Sequence, residues 1–428
     1  MFTGERYENF RPKHTERPLS VDGPDTGRAV EQDVFFFVML GPMAQAQQSS
    51  RLAFVDLLRG WAVIVMFETH TFNAMMTPSL RDTWWFDILN FINGMVAPSF
   101  LFVSGFVFAL SAARKIEQYR AFGPVFWKQV GRMLIILVVA YGLHLPFFSY
   151  RKMMMGVSPD GWLKFYQVDI LHCIVAGWFF LLVSFMAIRS STYLRRWVFA
   201  SGLAFVLATP FVWDVDFTQF GPAPLAAYLN GQHHSIFPVF PWLGFMLAGC
   251  YTGLLYTGGR ERQDGGKQFI GQAVLLAGML VVLSSVLSAV PLQVPFASGS
   301  WRANPLFFSL RLGIVLLLMG ACWLYARRRS AEPSSSFVLD ISRESFLVYT
   351  LHLLVIYGKY IDDKNLVDLY GGTFGVAECI VGSVTLTLLM VAVAKLWGWV
   401  KGTSLLLTRA VSYGVAVVAM IAFFVRES

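Results

Sequence analysis

The chain has 428 residues, of which 14% are charged and 56% hydrophobic, with 39 phenylalanines and a net charge of +8. A soluble domain carries about 25% charged residues, so this chain has too little polar surface to face water on all sides. Disorder, a collagen repeat and a disulfide scaffold are excluded on the same figures, and an all-α, polytopic transmembrane helix bundle is what the composition leaves.

The excess of positive charge does not point to nucleic acid. A nucleic-acid surface gathers its basic residues on one face. Here they lie singly or in short clusters between apolar runs, as membrane-orientation signals do. Cys173, Cys250, Cys322 and Cys379 are far apart, with no C-x-x-C, and each falls inside an apolar run. They read as small buried hydrophobes.

Residues 1–50 stand apart as a polar extension. Met1–Asp33 is rich in Pro, Gly, Arg and Glu and reads as disordered. Val34–Leu40 is too short to span a bilayer, and the acidic lead before it argues against a signal peptide. Translation starting at Met43 is the simplest expectation. The working domain is then 51–428.

Eleven apolar runs follow, each long enough to cross about 30 Å of hydrocarbon at about 1.5 Å per residue. They cover roughly 52–75, 87–112, 127–148, 167–188, 196–213, 236–256, 269–290, 306–326, 337–358, 374–397 and 404–425. If the N-terminus lies inside, the inner loops hold thirteen Lys and Arg against seven in the outer loops. That bias predicts an N-in, C-out, multi-pass protein with its basic loops toward the cytoplasm. Trp84, Trp85, Trp162, Trp213, Trp242 and Trp301 lie near outer run ends, where indoles anchor at the interface.

Ionisable residues inside such runs are costly and each needs a reason. The first run carries Asp56, Arg59, Glu68 and His70. Arg59 and His70 are eleven residues apart, which is about 20° beyond three full turns, so both leave one helix face about 16 Å apart along the axis. Asp56 is placed to pair with Arg59. Glu68 points the opposite way. A guanidinium near the inner face can hold a phosphate-bearing donor. An imidazole nearer the outer face can act as a general base. The plainer alternative is an orienting ion pair at a helix end, with His70 bonded to a carbonyl.

The ninth run places Ser345, Tyr349 and His352 on one face at i, i+4 and i+7. His352 reaches mid-membrane, where two histidines on two helices could flank one site. The alternative is an interhelical polar contact. Asp169 and His172, three apart at the outer end of the fourth run, are suited to carboxylate–imidazole pairing. His144 ends the third run as a lone interfacial histidine. His233 and His234 are adjacent and have no cysteine or acid at zinc spacing, so no metal site is expected. Pro238 and Pro241 imply a broken start to the sixth run. Arg114, Lys115, Arg327 and Arg328 lie in inner loops, within reach of a donor's phosphates.

The first run, with D-x-L-R-G-x-A followed by a histidine, resembles the first helix of the membrane acyltransferase-3 proteins. Four further segments are similar to the bacterial relatives of heparan-α-glucosaminide N-acetyltransferase: V-A-P-S-F-L-F-V-S-G (96–105), V-D-I-L-H (168–172), F-P-V-F-P-W-L-G (237–244) and S-R-E-S-F-L-V-Y-T-L-H (342–352). The resemblance implies an eleven-helix bundle that moves an acetyl group from cytoplasmic acetyl-CoA to an extracytoplasmic sugar or glycolipid. Acetyl-CoA would be a co-substrate, with no permanently bound cofactor. By position, His70 and Arg59 are the site residues, Asp56 their partner, and Asp169, Trp242, Ser345, Tyr349 and His352 the lining. In the animal lysosomal enzyme the catalytic histidine lies in the loop after the first helix; here Thr77–Trp85 has none.

The expected partners are the bilayer, acyl-CoA and the acceptor; a homodimer is compatible with the sequence. The rival is a secondary transporter or flippase without covalent chemistry, which also carries intramembrane charges and Pro-broken helices. No internal repeat supports it. A non-catalytic scaffold is the third reading.

Overall fold

The computed structural model describes residues 52–259, 265–289, 300–328, 336–359 and 364–426. The expectations for residues 1–50, and those for Arg260, Arg262 and Arg329, lie outside the described residues. In chain order the helices are α1 (Ala53–Met75), α2 (Trp84–Asn93), α3 (Val96–Arg120), α4 (Pro124–Leu143), α5 (Tyr150–Gly156), α6 (Pro159–Tyr166), α7 (Ile170–Ala187), α8 (Ser191–Val212) and α9 (Ala223–Ala226). They continue as α10 (Val239–Gly259), α11 (Gly265–Ala289), α12 (Pro305–Arg328), α13 (Phe337–Arg343), α14 (Ser345–Tyr357), α15 (Leu366–Tyr370), α16 (Val376–Thr403) and α17 (Leu405–Val425).

The protein is an all-α, polytopic helix bundle. Among the described residues, eight helical stretches are long and apolar enough to cross a membrane by length and composition. Every one of the eleven apolar runs coincides with a helix, but two are broken. The run 87–112 divides at Gly94–Met95 into α2 and α3. The run 337–358 divides at Glu344, whose φ of −105° and ψ of 23° end α13 and start α14. Apolarity reports which residues avoid water; it does not report where a side chain pulls the backbone. Glu344 is pulled by an ion pair with Lys401 of α16.

The centre of the bundle is the crossing of α3 with α10. It is built on the absence of side chains. A Cβ at Gly105 would lie 1.9 Å from the Met246 carbonyl, and one at Gly249 would lie 1.9 Å from the Phe102 carbonyl. The two backbones therefore touch reciprocally, as small residues permit in membranes. Phe102, Phe106, Phe245, Met246 and Leu247 fill the space around the crossing and are fully buried. The start of α10 is kinked at Phe240, next to a cis Phe240–Pro241 bond, as its two prolines implied. Trp242, placed by sequence at the interface, is instead only 4% exposed and packs on Phe237 and Phe307. The kink turns it inward. Trp84, by contrast, is 76% exposed.

Helix ends assigned to one membrane face meet one another. On the side the charge bias assigns to the cytoplasm, Arg59 meets Ser342, Lys401 meets Glu344, and Arg120 donates to the carbonyls of Phe185, Met186 and Ile188. On the other side, Thr77 N–H donates to Phe374 O and Ser149 donates to Arg426 O. The outer loop around 214–235 is not featureless. His233 Nε2 lies 3.0 Å from Asp216 Oδ1 and His234 Nε2 lies 3.0 Å from Asp160 Oδ1, so the adjacent histidines do face different partners. Hydrogen bonds from Lys164, then His234, hold the Asp160 carboxyl below its usual range. Those from Thr218 and His233 bring Asp216 down to about 2. Both carboxylates stay charged at any physiological pH.

Candidate functional site

Arg59 and His70, two polar residues of the α1 face, meet the same broken span. Arg59 Nη2 donates to Asp56 Oδ1 at 2.7 Å, and its Nε donates to Ser342 Oγ at 3.0 Å. Ser342 is on α13. Eleven residues on, His70 packs against His352 of α14, with ring centroids 5.1 Å apart. α13 and α14 are the halves of one broken span, so Arg59 and His70 do share a face. Gly60 allows the close fit: a Cβ there would lie 2.4 Å from the Val338 carbonyl of α13.

At the outer end of this face the two imidazoles are joined by three aromatic residues. His70 Nδ1 lies 3.3 Å from the Tyr357 hydroxyl. Phe67 and Tyr349 pack on His352 with centroids at 5.1 and 5.5 Å. His352 is fully buried. Its Nδ1–H donates to Val348 O at 3.0 Å, which leaves Nε2 with the lone pair and no partner among the described residues. A buried, unpaired acceptor is expensive to maintain unless something else uses it. His70 is half-buried and Tyr357 is 40% exposed, so the pair opens at one edge. His70 stands five residues before the end of α1, about 8 Å from it.

Sequence reasoning missed Ser342 and Tyr357. Ser345, singled out from the spacing, is the first residue of α14, after the break at Glu344. Tyr357 resembled any tyrosine at a helix end. Glu68 faces the other way, as its angle requires, toward Asn93 Nδ2 at 3.5 Å. It borders an apolar groove of about 750 Å³ between α1, α2 and α16.

A second cluster forms where α4 ends and α7 begins. Asp169 caps α7, accepting from Leu171 N–H at 2.9 Å and His172 N–H at 3.2 Å. Its Oδ1 lies 2.8 Å from His172 Nδ1, the pairing expected from the spacing. His144, treated as a lone interfacial residue, joins it. The Gln167 amide donates to His144 Nδ1 at 2.9 Å, and His144 Nε2 lies 3.3 Å from Asp169 Oδ2. The donor atoms of His144, Asp169 and His172 lie within 4.8 Å of one another, a set that can hold a metal ion. Among the described residues His172 Nε2 and His144 Nε2 have no hydrogen-bond partner, the latter lying at ion-pair distance from Asp169, while His144 Nδ1 and His172 Nδ1 are bonded within the cluster. Asp169→Ala removes the cap and strips the buried His172 and the half-buried His144 of their shared acceptor. It should destabilise the protein by about 2–5 kcal/mol, read as a lower unfolding midpoint in detergent; an unchanged midpoint would show the cluster to be dispensable.

The remaining basic residues are at inner helix ends. Arg114 and Lys115 lie in the last two turns of α3, and Lys115 stands within Coulombic reach of Arg132 and Lys128 on α4. Arg327 stacks over Trp323 at 5.3 Å, and Arg328 is exposed beside it.

The paired histidines of α1 and α14 and the arginine on the same face sit within a multi-pass bundle of apolar helices. A family profile described as heparan-alpha-glucosaminide N-acetyltransferase, catalytic, matches residues 51–285. The chain belongs to that family and is a membrane acetyltransferase in the general sense. The match includes Asp56, Arg59, His70, Asp169, His172 and Trp242; Ser342, His352 and Tyr357 lie beyond it. A search of curated proteins finds no match.

Proposed function

We propose that the chain transfers an acetyl group from cytoplasmic acetyl-CoA to a hydroxyl or amine of an extracytoplasmic sugar, envelope glycan or glycolipid, with residues 51–428 as the transferase domain. The observation that carries the reading is the meeting of His70 and His352 on the face that also holds Arg59. One strip then offers a cation for the donor's phosphates at one end and an imidazole for its thioester at the other. The spacing of about 16 Å along α1 suits an extended pantetheine arm. Arg114, Lys115, Arg327 and Arg328 would add positive charge at the inner mouth.

The chemistry is acyl transfer. His70 Nδ1–H donates to the Tyr357 oxygen, leaving Nε2 as the base. The acceptor oxygen or nitrogen attacks the thioester carbonyl. As the new C–O or C–N bond forms, its proton passes to His70 Nε2. The C–S bond then breaks, and the departing thiolate of CoA takes the proton back from the imidazolium. His352 stands beside this transfer with an unused lone pair. A covalent acetyl-histidine on His70 balances equally well.

Arg59→Ala should raise the KM for acetyl-CoA about tenfold with a smaller change in kcat, since a charge-assisted phosphate contact contributes to binding the donor throughout. A KM equal to that of the wild type would remove Arg59 from the donor site. The acceptor is found by comparing envelope glycans and lipids from a deletion strain and its parent. One species that loses a single acetyl mass is expected; identical acetylation patterns would overturn the proposal.

A further inference from the structure

The eighth apolar run holds an arginine of its own. Arg311 is the seventh residue of α12, inside a candidate membrane span, about 9 Å in from the start of that helix. It is partly buried. Among the described residues no carboxylate pairs with it. Its guanidinium lies over two rings, Phe307 at 4.6 Å and Phe91 at 5.4 Å. Its polar contact is Nη1 donating to Met95 Sδ at 3.7 Å. Two aromatic faces attract the cation but accept no in-plane hydrogen bond, and a thioether is a weak acceptor. A fork of five N–H donors is thus left almost unspent at membrane depth, where an unpaired ionisable group is by default functional.

The surroundings favour an anion from outside the chain. The break between α2 and α3 sits against the guanidinium, and a Cβ at Gly94 would lie 2.4 Å from Arg311 Nη1. The missing side chain leaves the cation its place. Arg302 lies within Coulombic reach, so a second positive charge adds to the field rather than cancelling it. On the neighbouring α2, Ile88, Phe91 and Ile92 are all at least 40% exposed, an apolar flank suited to acyl chains. The site is separate from the His70 centre, which faces α13 and α14.

We infer that Arg311 binds a phosphate-type anion at the flank formed by α2, α3 and α12. The exposed apolar face beside it favours a lipid headgroup as the source, with the acyl chains lying along α2.

The test uses the full chain, purified in a neutral detergent. Phosphatidylglycerol, phosphatidylcholine or inorganic phosphate is added, and lipid retention is followed by native mass spectrometry and thermal unfolding. Wild-type protein should retain phosphatidylglycerol and be stabilised by it well beyond the effect of phosphatidylcholine. Arg311→Gln should weaken that binding at least tenfold, and Arg302→Gln by a few fold. Stabilisation by inorganic phosphate alone, lost in Arg311→Gln, would keep the site and make its ligand a soluble anion. Equal anion binding by wild type and Arg311→Gln, or none by either, overturns the inference. Should Arg311→Gln fail to fold, a photoreactive phosphatidic acid on wild-type protein decides. Crosslinks should fall within 84–96 and 305–316; crosslinks confined to other segments overturn it.

Discussion

His70→Ala should lower acyl transfer by about 100- to 10,000-fold, the range over which a positioned general base contributes. The protein should still fold. His70 is half-buried, and among the described residues its polar contact is with the partly exposed Tyr357, so removing the ring strands no fully buried polar group. His352 would keep its bond to Val348 O. The variant therefore separates chemistry from stability: kcat should collapse while the unfolding midpoint and the apparent affinity for acetyl-CoA change little. A Michaelis analysis with acetyl-CoA, beside a thermal melt, reads all three. Turnover within threefold of wild type would take the base role away from His70. Loss of donor binding with intact turnover would make it a binding residue.

The second large effect concerns the bundle itself. Gly249→Leu should abolish accumulation of folded protein, and Gly249→Ala should cost about 3 kcal/mol, the upper part of the usual range for overpacking. The added atom meets the Phe102 carbonyl at 1.9 Å. That obstacle is helical backbone in the second turn of α3, and it cannot rotate aside. Separation of α3 from α10 would also disturb the reciprocal contact at Gly105 and the buried Phe102–Phe106 pair. Fluorescence-detected size exclusion of the variants checks this. A monodisperse Gly249→Leu protein with a wild-type midpoint would mean that the helices are not held in backbone contact.

Much of this architecture could be read from periodicity and apolarity. The eleven apolar runs all became helical, two of them in two pieces, and among the described residues eight helical stretches are long and apolar enough to cross a membrane, because burying backbone polar groups in hydrocarbon leaves the chain little other choice. Arg59 and His70 share a face because helix geometry fixes the angle between them regardless of neighbours. Asp169 and His172 pair because three residues of helix bring them together. What the sequence withheld depends on partners far along the chain. Ser342 meets Arg59 from the far side of a helix break at Glu344, which is itself paired with Lys401. His144 joins Asp169 across two helices. Trp242 turns inward because α10 is kinked at Phe240. The contact at Gly105 and Gly249 looks, in one dimension, like two ordinary glycines in apolar runs. Arg311 was passed over because a lone arginine carries no spacing signal until the rings around it are known.

The claim on which the account rests is that the paired imidazoles of α1 and α14 form an acyl-transfer centre. Purified protein in liposomes, given acetyl-CoA labelled in the acetyl group, tests it by the release of free CoA and by label appearing in envelope extract supplied on the opposite side. Wild-type protein should release CoA and pass label across, and His70→Ala should do neither. CoA release by both proteins at one rate, or by neither in the presence of acceptor extract, would contradict it.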